Sequence, residues 1–225
     1  MLLRDRTEAG RMLAHRLAAY ANYPDAMVLA LPRGGVPVAF EIAEALNLPL
    51  DILVVRKLGV PGHEEFAMGA IASGGARILN QDLIRQLSLS DEIIEHIVAR
   101  EQRELERRER TYRGQRPALD IRGRIVIIVD DGLATGSSMR AAIAALRQKR
   151  PTKLIVAVPV GARMTCSELK ALADDVICLE TPENFSAVGL WYRDFSQVTD
   201  EEVNDLLERN RKNSEAKNIS QEAGI

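Results

Sequence analysis

Residues 125–138 read IVIIVDDGLATGSS, and this stretch decides the fold. Five apolar residues, Ile125 to Val129, form the clearest buried strand in the chain. It delivers two adjacent acids, Asp130 and Asp131, to its carboxyl end. A short turn with Gly132 and Gly136 follows, then the hydroxyls of Thr135, Ser137 and Ser138, then a helical pattern from Ser137 to Lys149. Ligands of open α/β sheets bind outside the carboxyl ends of the strands. A helix N-terminus offers unpaired N–H groups and partial positive charge to a phosphate. A lone acid at this place would read as a helix cap. Two acids beside an anion site would repel the ligand unless they meet its hydroxyls or a cation. A phosphorylated ribose satisfies both halves, and a hard cation such as magnesium could offset the remaining charge while keeping several waters.

Working outward, apolar runs at Met27–Leu31, Ile52–Val55, Leu154–Val160 and Val176–Leu179 read as further strands. Helical patterns separate them over Val36–Leu46, Ser137–Lys149 and Cys166–Ala173. Strands alternating with helices predict a parallel α/β sheet covered on both faces. Ala67–Ser73 and Arg77–Leu79 read as short strands around Gly74-Gly75. Ser90–Arg113 is a long charged helix capped by Ser90, its Glu and Arg residues spaced for ion pairs on a solvated face or a dimer contact. Helices are also expected over Arg4–Tyr20 and Asp200–Arg211, with a polar, disordered tail over 212–225. Residues 1–211 are expected to form one domain, with a small hood built from the chain's ends, from helix 90–113, or from both.

Composition narrows the function class. With 225 residues, 46% hydrophobic, the chain can bury a sizeable core. A formal net charge of −2 predicts no general attraction to nucleic acid or anionic membrane. Cys166 and Cys178 lack metal-ligand spacing and read as small buried apolar groups. The start, MLLRDR, lacks a signal-peptide core, and no run of about 18 apolar residues suggests a membrane span. The expectation is a soluble, cytoplasmic protein.

The stretch 125–138 resembles the 5-phosphoribosyl pyrophosphate (PRPP) motif of the type I phosphoribosyltransferases: apolar residues, two acids, a short turn, then Thr-Gly-x-Ser. The resemblance implies that Ala134, Thr135, Gly136, Ser137 and Ser138 hold the 5-phosphate. It implies that Asp130 and Asp131 meet the ribose hydroxyls and take part in catalysis, with Mg²⁺ reached through water or substrate. The loop Leu31-Pro32-Arg33-Gly34-Gly35 stands where such proteins bind pyrophosphate, with a strained or cis peptide implied near Arg33-Gly34. Arg33, Gly34, Gly35, Arg56 and Lys57 would face pyrophosphate. The segment Arg56–Phe66 would be a mobile hairpin loop closing over substrate, with Lys57 and Glu65 as catalytic candidates; His63, Glu64 and Glu65 could each handle a proton on the incoming base, but individually read first as part of a solvated hairpin.

The 6-oxopurine-specific members carry an acid where this chain has Ala134, so DDGLATG lies closer to the adenine-specific members, with Gly132 where those carry an apolar residue. The acceptor base would meet an aromatic segment, Phe185 to Phe195, through Trp191 and Tyr192; the alternative is that these rings fill a small core under the last helix. The implied activity is transfer of ribose 5-phosphate from PRPP to a nitrogenous base, by a homodimer. The alternative is a non-catalytic PRPP sensor of the same fold.

Overall fold

The structure is a computed structural model describing residues 2–118 and 120–222, without the side chains of Glu64, Glu65 and residues 217–222. Its helices and strands run in order α1 (Arg6–Arg16), β1 (Ala26–Ala30), α2 (Gly35–Leu46), β2 (Leu50–Ile52), β3 (Val55–Val60), β4 (His63–Ala72), β5 (Ala76–Leu79), α3 (Gln81–Gln86), α4 (Asp91–Arg113), β6 (Ile125–Val129), α5 (Ser137–Gln148), β7 (Lys153–Val160), α6 (Arg163–Leu169), β8 (Asp175–Glu180) and α7 (Asp200–Glu222). Short 3₁₀ turns stand at Ala18–Tyr20 and Val188–Trp191.

Five strands form one parallel sheet in the order β2-β1-β6-β7-β8. The alternation of side chains along a strand divides the core in two. Val28, Ile127, Val129, Ile155 and Ala157 face a layer with α1, α2 and α7. Met27, Leu29, Val126, Ile128 and Val156 face the opposite layer with α5 and α6. Each buried strand is apolar on both faces because helices cover both. The register aligns Ala30 with Val129 and with Ile52, so the loops after β1 and β6 leave the sheet side by side.

The run Ile52–Val55, expected to be one strand, is divided between two sheets. Leu50–Ile52 pairs in parallel with β1, and Val55 opens the antiparallel sheet β3-β4-β5. Leu53 N–H donates to Ala30 O (2.9 Å), and Val54 N–H donates to Ser73 Oγ (2.9 Å), so the change of partner falls between them. A continuous apolar run carries no mark of such a change.

The segment Arg56–Phe66, expected as a mobile hairpin loop, is a hairpin whose strands pair almost to the turn. Leu58 and Val60 are buried, and the chain turns at Pro61-Gly62, where Gly62 has φ 75°. The register passes from Gly59↔Ala67 to Val60↔His63, which bulges residues 64–66 out of the ladder and leaves Phe66 67% exposed. Apolar residues at every second position, not the polar ones between them, set this segment.

The long helix α4 forms with Ser90 Oγ accepting from Ile93 N–H. It is more than a solvated face. Glu101 and Arg113 are buried, Arg113 donating to Asp51 (3.1 Å) and to Ile52 O (2.8 Å). The last helix continues past Arg211 to Glu222, where a polar tail was expected. No Gly or Pro interrupts 212–222, and Glu208–Lys212 and Arg211–Glu215 pair at i,i+4 spacing. Asn210 and Asn213 also donate to Glu44 of α2. Residues 223–225 of the expected tail lie outside the described residues. The helix α1 starts two residues later than expected, capped by Asp5, whose carboxylate accepts from Glu8 N–H at 2.7 Å.

Cys166 and Cys178, expected as separate apolar groups, form a disulfide that ties α6 to β8. Their positions on neighbouring elements of one face bring them together, which spacing in the chain does not reveal. No helix is long and apolar enough to cross a membrane among the described residues.

Candidate active site

The site lies where β1 and β6 end. Past Val129 the chain presents Asp130 and Asp131, and Asp131 N–H donates to Asp130 Oδ1 at 2.9 Å. Burial, then the neighbouring Asp131 charge, pushes Asp130 well above the usual carboxylate range. Asp131 is also raised; burial is the largest cause, and the Arg6 guanidinium works against it. Two acids that share a poorly solvated place cannot both hold full charge cheaply.

The loop after β1 packs directly on them. Leu31 N–H donates to Val129 O (2.9 Å), and the peptide between Pro32 and Arg33 is cis. A Cβ at Gly34 would overlap Asp131 Oδ2, and one at Gly35 would lie 2.7 Å from Val129 O. Only glycines let this loop approach so closely. Its backbone therefore faces the acid pair, as the pyrophosphate expectation needs. The Arg33 guanidinium leans instead toward Asp200 at the start of α7, with nitrogen and oxygen 3.8 Å apart.

The phosphate-loop candidates follow at once. Leu133 N–H donates to Val160 O (2.9 Å), which anchors the turn to β7. Ala134, Thr135, Ser137 and Ser138 are exposed. Gly136, in the left-handed conformation (φ 71°), stands just before α5 and gives it no side-chain cap. Thr135 Oγ1 and Ser137 Oγ stand 3.1 Å apart, so two hydroxyls flank the helix's first turn. The uncapped turn is an anion site in form. Thr165 of α6 holds the loop from outside, its hydroxyl donating to Ala134 O at 2.8 Å.

Other expected residues fall elsewhere. Arg56 does not face the phosphate loop: its Nε and Nη2 donate to Glu101 of α4 at 2.9 and 2.6 Å. Lys57, one residue on, points the other way, as strand alternation demands. It lines a groove of about 340 Å³ with Ser137 and Arg140 of α5. Lys57 is thus brought near the phosphate loop by strand β3. Glu65 lies on the bulge of β4, and its side chain is outside the described residues.

The aromatic segment resolves mostly toward the core alternative. Tyr192 is 5% exposed, packs with Leu3, Ala9 and Val160, and donates its hydroxyl to Asp131 O at 2.6 Å. Burial pushes its phenol up, so it keeps its proton. Trp191 packs against the same cluster and is half-buried. Phe195 is stacked by the Arg6 guanidinium, 4.0 Å from its centroid.

Arg6 escaped the sequence reading altogether. Its Nε and Nη2 both reach Asp131 Oδ2, at 2.9 and 2.8 Å. It arrives because the chain's two ends pair: Leu3 N–H donates to Trp191 O (2.9 Å), and Arg193 N–H donates to Leu3 O (2.8 Å). No signal links positions separated by 125 residues.

The described residues contain no group of three or more His, Cys, Asp or Glu able to hold a metal alone. Asp130 and Asp131 fit a magnesium ion only in the manner typical of that ion, with one or two carboxylates and the rest supplied by water and substrate oxygens.

Comparison with known proteins agrees with this geometry. Residues 4–193 match the family model described as phosphoribosyl transferase domain. Two Mycobacterium tuberculosis proteins, named provisionally as phosphoribosyl transferases (MT0597 of strain CDC 1551 / Oshkosh and Rv0571c of strain ATCC 25618 / H37Rv), are 46% identical over 208 residues. The match covers 92% of this chain but 47% of each relative, so the chain spans about half the length of the curated relatives it matches. Among solved structures, the TT1426 protein from Thermus thermophilus is 44% identical with a TM-score of 0.82, over 92% of this chain and 98% of that one. The AQ2163 protein from Aquifex aeolicus shares the fold at 12% identity and a TM-score of 0.51, over 90% of this chain and 84% of that one. The chain therefore belongs to the phosphoribosyl transferase domain family.

Proposed function

We propose that the chain transfers the 5-phosphoribosyl group of PRPP to a nitrogenous base and releases pyrophosphate. One observation carries this: an acid pair, an uncapped hydroxyl-flanked helix N-terminus and a glycine loop meet at adjacent strand ends. In this reading the N-terminus of α5, with Thr135 to Ser138, binds the 5-phosphate. Asp130 and Asp131 accept hydrogen bonds from the ribose hydroxyls, and the backbone at Arg33 to Gly35 faces pyrophosphate. Magnesium, carried in with PRPP, would neutralise the pyrophosphate as it leaves.

The acceptor nitrogen attacks C1, the C1–oxygen bond breaks, and its electron pair leaves on pyrophosphate; the acceptor's proton passes to solvent or base. Positive charge develops on the ribose ring, and the two carboxylates stabilise it. A nucleobase-like acceptor, a homodimer and a cytoplasmic setting belong to the same reading and rest on the family resemblance.

A second reading has one observation in its favour. Arg56, expected to face pyrophosphate from the closing hairpin, is engaged by Glu101. A protein that binds PRPP as a signal needs no closing loop.

Calorimetric titration with PRPP and Mg²⁺, followed by a pyrophosphate-release screen over nucleobases, separates the readings. Binding with release for one base is the expected result. Binding without release for any base would favour the sensor. No binding would overturn both.

A further inference from the structure

We infer that Arg6 is the built-in counter-ion of the acid pair, a positioning residue that holds Asp131 in the free protein and lowers its demand for a divalent cation. The inference rests on the reading that Asp130 and Asp131 meet the ribose of magnesium-bound PRPP.

The guanidinium is fixed on every side. Nε and Nη2 donate to Asp131 Oδ2, Nη1 donates to Ser196 O at 2.8 Å, and one face lies on the Phe195 ring at 4.0 Å. Its side chain is 11% exposed, and that of Asp131 is 16% exposed. An arginine so enclosed and so bonded is not a solvated surface charge. Arg6 also occupies the first residue of α1, where the helix dipole disfavours a cation. The contact with Asp131 offsets that disadvantage. Asp131 is held from two directions: Arg6 on Oδ2, and Tyr192 on the backbone carbonyl.

Two consequences follow from charge alone. A free divalent cation approaching the pair meets a cation already seated, so the free protein binds it weakly. PRPP, strongly anionic, meets acids already partly neutralised, so it can bind before any metal does. Removing the positive charge at position 6 therefore shifts the two affinities in opposite directions, which a purely structural loss would not do. Free cation binds more tightly, and metal-free PRPP binds more weakly.

The test uses the full chain as wild type, Arg6→Gln and Arg6→Lys. Mn²⁺ binding to the free protein is read by electron paramagnetic resonance, and PRPP binding by calorimetry in excess Mg²⁺ and in EDTA. Arg6→Gln should bind Mn²⁺ about tenfold more tightly and PRPP in EDTA about tenfold more weakly, the scale of one partly screened charge contact. In excess Mg²⁺ the PRPP difference should shrink to within about threefold, because the metal replaces the lost charge. Arg6→Lys, which keeps the charge but not the fork, should fall between. Wild-type Mn²⁺ affinity in folded Arg6→Gln overturns the inference. If Arg6→Gln fails to fold, Arg6→Lys, which loosens the contact with Asp131, must shift Mn²⁺ binding in the same direction by a smaller amount, and no shift overturns it. If wild type binds no PRPP in either condition, the functional reading fails, and the Mn²⁺ arm alone decides the role of Arg6.

Discussion

Gly34 abuts the Asp131 carboxylate so closely that any side chain at position 34 would overlap Oδ2. The backbone of Gly34 is itself ordinary, with φ −60° and ψ −32°, a conformation every residue adopts. The glycine is thus required by its neighbour and not by its dihedral angles. Gly34→Ala should force Asp131 or the loop aside, lower stability by about 1–3 kcal/mol as overpacking does, and cut PRPP affinity. Thermal melts and calorimetry check both effects. Unchanged PRPP affinity would separate this loop from the ligand site.

Asp130 gives a pH signature. Its folded pKa lies above its unfolded value. The acid therefore favours the folded state below its ordinary range, and that contribution is lost as pH rises through the raised pKa. Asp130→Asn keeps an oxygen for the Asp131 N–H but carries no charge. It should melt higher than wild type at about pH 7–8, and the gap should close toward about pH 4. A constant gap across that range would mean that burial does not perturb this acid. Pyrophosphate release should be lost in the same variant.

Arg56 is expected to matter for stability more than for ligand. Glu101 is 8% exposed and loses its principal partner in Arg56→Ala, keeping Arg100. A loss of about 1–3 kcal/mol is expected from a buried charge left half-paired. PRPP affinity should stay within about twofold, since no phosphate contact is removed. A large loss of affinity with unchanged stability would restore Arg56 to the pyrophosphate site.

The Cys166–Cys178 bond closes a short loop, its ends separated by 12 positions in the chain. Its reduction should cost about 2–3 kcal/mol, seen as a drop of roughly 5–10 °C in melting temperature. Cys166→Ser with Cys178→Ser should melt like the reduced protein. Because Thr165 holds the phosphate loop through Ala134, PRPP affinity should fall alongside. Equal melting with and without reductant would show that the bond does not form in solution, as a reducing compartment favours.

By itself, the sequence determined the central strands of the parallel sheet, its covered faces and the place of the candidate site. Uninterrupted apolar runs can satisfy their backbone and side chains only between helices, and β6 appears at the residues its apolar run marks. The acid pair, Gly136 and the hydroxyls lie within nine consecutive positions, Asp130 to Ser138, so local chemistry alone made them legible. Tertiary structure decided what arrives from a distance. Arg6 reaches Asp131, Glu101 captures Arg56, Tyr192 seals the Asp131 carbonyl, and Cys166 finds Cys178. Each partner is polar or small and lies on an element whose path is set by hydrophobic packing elsewhere. Periodicity reports which face a residue occupies; which group waits opposite that face is fixed only when the layers close.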